Sequence, residues 1–124
     1  MKMARWLIVA GSVILFGTAL FHASGYNGVA RAIEASGAKP FLVSAVKGLW
    51  LMFSAHLIIL SLIIVAASRS SHARWLVLLC AVMPVADALL LLRFAGVFAG
   101  TILIAVAAML FIAGGLLLPR QSLD

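Results

Sequence analysis

The sequence is short of cysteine and of acidic residues. Among 124 residues there is one cysteine and only three Asp or Glu. A lone Cys80 excludes a disulfide scaffold and any metal site built from a cysteine cluster. Charged residues of both signs make up 10% of the chain, while the hydrophobic types account for 66%. Ordinary soluble domains carry about 25% charge and about 45–50% apolar residues with glycine included. A small soluble domain buries only about two-thirds of its surface, so this apolar excess cannot be hidden inside one. A disordered chain would need the opposite composition. What is left is an integral membrane protein. The shortage of acids leaves a net charge of +6. The basic residues fall at both ends of the apolar stretches, which suits lipid phosphates and not nucleic acid.

The apolar stretches predict an all-α fold: an antiparallel bundle of four membrane-spanning helices forming a single domain over residues 1–124. The spans read as about 6–25, 46–68, 74–93 and 96–118. Each is continuous and near the roughly 20 residues a helix needs to cross the hydrocarbon core. A β-barrel would show strands of about 10 residues with alternating polarity. The first stretch has a second reading. Lys2 and Arg5 precede an apolar run that ends at Ala23-Ser24-Gly25, the pattern of a cleavable signal peptide.

Orientation follows the cations. With the N-terminus inside, Lys2, Arg5, Arg69, Arg74 and Arg120 face the cytoplasm, and Arg31, Lys39, Lys47 and Arg93 face outward. The slim inner excess and the basic N-terminus give an expectation of both termini inside, in a bacterial inner membrane. Trp6 and Trp75 then sit at the inner interface, and Trp50 and Tyr26 at the outer one.

Only the first connection is long. Asn27 reads as a helix N-cap, Gly37 as the residue after the last turn, and Pro40 as a stop. Val29, Ala32 and Ile33 share a face. These features predict a short interfacial helix over about 28–36, against an irregular loop as the alternative. The connection around Arg93 to Gly96 is so short that spans three and four must be neighbours.

Ionisable groups inside a bilayer are expensive and therefore carry functional interest. From the rise of a helix, His56 lies roughly 13 Å and Asp87 roughly 10 Å below the outer surface, with His22 shallower at roughly 3–5 Å. A carboxylate alone in hydrocarbon takes up a proton, whereas a neighbouring imidazole can hold it ionised. His56 and Asp87 are therefore expected as a pair. The pair would be a packing hydrogen bond, the floor of a ligand pocket, or a proton carrier. His22 and Trp50 would flank such a pocket, and Arg93 and Lys47 would form a cationic rim for an anionic or amphipathic molecule. Pro84 removes a backbone hydrogen bond one turn from Asp87 and predicts a kink.

No catalytic residue, metal site or cofactor is expected. Haem or a divalent metal at His22 and His56 would need the two rings brought to one depth, and no motif stands behind it. Gly96, Gly100, Ala107 and Gly114 form a stripe of small residues on span four. It would pack against the other spans or against a second copy of the chain.

The chain resembles the small four-helix proteins of bacterial inner membranes, without the signature of a named family. Small multidrug transporters keep their working glutamate in the first span, where this chain has only His22. The four-helix enzymes of glutathione metabolism carry a Glu-Arg and Asn set that Arg31-Ala32-Ile33-Glu34 does not reproduce within a span. The expected function is binding of a lipid or amphipath in a polar pocket of the outer half, or service as an accessory subunit. Its expected partners are membrane lipids and a homo-oligomer or larger membrane complex. The alternatives are an oligomeric proton-coupled transporter using Asp87 and His56, and a redox or metal-binding subunit using His22 and His56.

Overall fold

The computed structural model describes residues 2–119. Arg120, grouped above with the inner cations, lies outside them. The described chain forms five helices in the order α1 (Lys2–Ser24), α2 (Tyr26–Ala35), α3 (Pro40–Ala67), α4 (Ala73–Phe94) and α5 (Ala99–Leu117). All but α2 are long and apolar enough to cross a membrane. The protein is a four-helix membrane bundle with a short fifth helix between the first two spans. Its surface fits that setting, because large apolar side chains point outward on every spanning helix, among them Val13, Leu62, Leu79, Leu89 and Met109.

Several boundaries differ from the sequence reading: α1 starts at Lys2 and not at residue 6, and α5 at Ala99 and not at residue 96. The second spanning helix starts at Pro40 and not at residue 46. Proline suits the first helical position, where its missing N–H has no partner to lose, so Pro40 opens a helix and does not merely stop one. The short helix begins at Tyr26, straight after α1, with Gly25 between them. Asn27 therefore lies inside α2 and caps nothing.

The spanning helices stand in the order α3, α1, α5, α4 around the bundle, with α3 and α4 touching least. In a membrane the lipid tails compete with side chains for apolar contact, so helices associate where small residues let their backbones approach. Gly11 of α1 sits against the Phe111 ring, where an added Cβ would lie 2.8 Å from the ring. Gly114 of α5 sits against Ile8 and the Ala4 carbonyl, where an added Cβ would lie 2.7 and 3.0 Å away. Ile8, Leu15, Ala107 and Phe111 are wholly buried in the same core. On the other side of α5, Gly115 meets Leu78 and Val77 of α4.

Gly100, Ala107 and Gly114 are thus buried within one chain. Gly96 is not part of their stripe. It lies in the turn after α4 at φ +80° and donates its N–H to the Leu91 carbonyl at 3.0 Å. A left-handed residue ends a helix at this place, and glycine adopts that conformation without cost. Pro84 lies inside α4, fully buried, and the helix continues through it.

Helix α2 lies along α3. It buries Ala30 and half-buries Tyr26, Val29 and Ile33, while Ala32 points to the outside. Lys47 of α3 reaches Glu34 of α2 at 2.7 Å and fastens the two helices together.

Candidate functional site

At the α2 end of the bundle the four spanning helices line a partly open chamber of about 550 Å³. Helix α1 supplies Thr18, Phe21 and His22, α3 supplies Trp50 and Phe53, α4 and its cap supply Leu91 and Ala95, and the start of α5 supplies Phe98, Gly100 and Ile104. This volume falls within the roughly 300–1,000 Å³ of small-molecule sites, and like them the chamber is apolar with few polar groups.

Its polar centre is His22. Residues Trp50, Phe53 and Ser54 are three and four apart on α3, so they share one face of that helix. The Trp50 ring stacks on the His22 ring, with centroids 3.9 Å apart and 18° between planes. The indole N–H donates to the His22 carbonyl at 2.8 Å. Phe53 meets the imidazole edge-on at 5.0 Å. His22 Nδ1 lies 2.9 Å from Ser54 Oγ, and the Ser54 hydroxyl also reaches the Trp50 carbonyl at 3.2 Å. Gly25 is needed beside this cluster, because an added Cβ would lie 3.1 Å from the indole. Trp50 is therefore turned inward beside His22; the sequence suggests both an outer-interface place and a place beside His22 for this residue.

The second polar feature lies about one turn deeper. His56 Nε2 and Asp87 Oδ2 are 3.0 Å apart and join α3 to α4 across the loosest contact in the bundle. Phe53 connects the two features, with its ring 6.2 Å from that of His56 and 5.0 Å from that of His22. His56 does not line the chamber. It opens onto an apolar groove of about 470 Å³ between α3 and α4 with Met52, Ile59, Ile63 and Met83.

The two expected rim cations behave differently. Lys47 is held by Glu34. Arg93 lies over the Phe94 ring at 5.5 Å. Neither lines the chamber. Among the described residues no group of three His, Cys, Asp or Glu is gathered as a metal site would require.

No family model, curated protein or solved structure matches the chain. Function has to be read from the site itself. The residues that sequence reasoning missed are Phe53, Ser54, Leu91 and Phe98. The apolar ones are silent in a chain this hydrophobic. Ser54 did carry a signal, being a hydroxyl four residues after Trp50 at a helix position that turns out to be buried.

Proposed function

We propose that this membrane protein binds an amphipathic molecule of the lipid class in the chamber at the α2 end, its apolar part among the aromatic rings and its polar end at His22. The observation that carries the reading is a chamber lined by all four spanning helices, open on one side, with a single imidazole in its wall. The Ser54 hydroxyl has one proton. Directed at the Trp50 carbonyl, it leaves Ser54 to accept from His22 Nδ1–H, so that Nε2 carries the lone pair. The chamber thus offers an acceptor, and the ligand's polar end is a hydroxyl or other hydrogen-bond donor. The His56–Asp87 bond ties α3 to α4 deeper in the bundle, beside a separate apolar groove.

Native mass spectrometry of the full-length protein, released gently from its own membranes, tests this. The expected spectrum shows a lipid-mass adduct that is lost in Ala95→Phe, where the larger side chain is placed in the chamber wall, and weakened in His22→Phe. A chain that appears bare, or a spectrum from which neither change removes an adduct, overturns the reading.

A second reading rests on the His56–Asp87 bond at the loosest helix contact. There the pair carries protons through the bundle of a small transporter. Proteoliposomes loaded with a pH-sensitive dye would show proton movement that Asp87→Asn abolishes. Intact proton-tightness of the wild-type vesicles under a pH gradient and an imposed potential overturns it.

A further inference from the structure

The end of the bundle opposite α2 holds a polar cup of about 130 Å³ lined by Arg5, Ser68, Ser70, Ser71 and Arg74, with Leu118 and Pro119 on its apolar side. We infer that this cup binds the phosphate of an anionic phospholipid headgroup, at a site separate from the chamber and independent of its function.

The chemistry of the wall points to an anion. Two guanidinium groups and three serines line it; Ser68 donates to the Val65 carbonyl and Ser71 pairs with His72, which leaves the Ser70 hydroxyl beside the two arginines. Arg74 is fixed in place, because its Nη1 donates to the carbonyls of Leu116 and Leu118 at 2.9 and 3.1 Å. This pair of hydrogen bonds caps the last turn of α5 and offsets the negative end of its dipole. It also leaves the Nε and Nη2 protons of Arg74 for an outside acceptor, and a guanidinium suits phosphate oxygens in this forked geometry. The 22-residue helix α4 starts at the cup with no side-chain cap on its first amides. The positive end of its dipole adds to the same field. Among the described residues no carboxylate lies at this end, since Glu34 belongs to α2 and Asp87 to the far half of α4.

The position points to a lipid and not to a free anion. Trp6 and Trp75 are 71% and 69% exposed beside the two arginines in sequence, as interfacial tryptophans at headgroup level are. A groove of about 210 Å³ formed by Lys2, Arg5, Trp6 and Val9 shares Arg5 with the cup and leads away along α1. A headgroup in the cup can therefore lay an acyl chain on the outer face of α1.

The test uses the full chain in a neutral detergent, titrated in native mass spectrometry with phosphatidylglycerol, phosphatidylcholine or inorganic phosphate. It is run on the natural protein and on Ala95→Phe, so that loss of chamber binding and loss of the cup are read separately. The expected result is one phosphatidylglycerol retained in both, in preference to phosphatidylcholine, with no retained inorganic phosphate. Arg5→Gln should weaken it roughly fivefold, the effect of one basic residue near an anionic headgroup. Arg93→Gln, at the other end, should leave it unchanged. Equal retention of the two lipids, binding of inorganic phosphate alone, or indifference to Arg5→Gln overturns the proposal.

Discussion

His22 and Trp50 hold each other twice. Their rings stack at 3.9 Å, and the indole N–H closes back on the His22 carbonyl at 2.8 Å. The carbonyl belongs to the last turn of α1 and also accepts from the Gly25 N–H at 3.1 Å. Trp50→Phe keeps an aromatic ring over the imidazole and removes only the hydrogen bond. The expected cost is about 0.5–1.5 kcal/mol, read as a lowered thermal midpoint in detergent. A midpoint equal to that of the natural protein would show that the Gly25 N–H satisfies the carbonyl by itself.

His56 and Asp87 make the polar contact between the helices that otherwise touch least. Interhelical hydrogen bonds in membranes average about 0.6 kcal/mol and reach about 1.7. Removing one partner leaves the other unpaired and costs more than removing both. In a double-mutant cycle, His56→Leu with Asp87→Leu should therefore be more stable than either single variant. Additive single effects would mean that the two side chains are held by other groups.

The sequence made the spans legible because hydrocarbon demands long, charge-free helices and punishes anything else. Pairing His56 with Asp87 needed only helical rise and the cost of a lone carboxylate. Trp50 was harder, since a tryptophan near a span's end looks the same whether it faces headgroups or folds inward on an imidazole. Gly96 and Gly100 have the spacing of a packing motif, yet Gly96 is itself a left-handed turn residue before α5, and only Gly100 lies in that helix. Nothing in spacing alone separates a glycine that ends a helix from one that packs it. Arg74 capping α5 was illegible for a different reason. Its partners, Leu116 and Leu118, are carbonyls, and carbonyls have no letter in a sequence.

The small-residue stripe of α5 is committed to α1 within the chain. Gly114→Ala would drive a Cβ against Ile8 and the Ala4 carbonyl, and backbone cannot yield as a side-chain tip can. The expected loss is about 1–3 kcal/mol, read as a lower thermal midpoint. Gly48→Ala is the control. No atom outside its own helix neighbourhood lies within 4 Å of an added Cβ there, so alanine should be neutral or stabilise α3 by about 0.5–1 kcal/mol. If Gly114→Ala instead leaves stability intact and changes only the oligomeric state, the stripe serves a contact between copies.

Helix α2 is the least anchored element of the bundle, and Glu34 is the place to show it. It buries one residue, Ala30, and Lys47 fastens it to α3 through Glu34 at 2.7 Å. Both side chains are partly exposed, so salt should weaken the pair. Glu34→Gln removes the charge and keeps the shape. Hydrogen exchange of the full chain in detergent should then speed up over residues 26–35 and remain unchanged in α1 and α5, whose amides lie in the buried bundle. Raising the ionic strength should speed exchange at α2 in the natural protein and have little effect in the variant. Equal protection of α2 in both proteins at every salt concentration would mean that Tyr26, Ala30 and Ile33 hold the helix by packing alone.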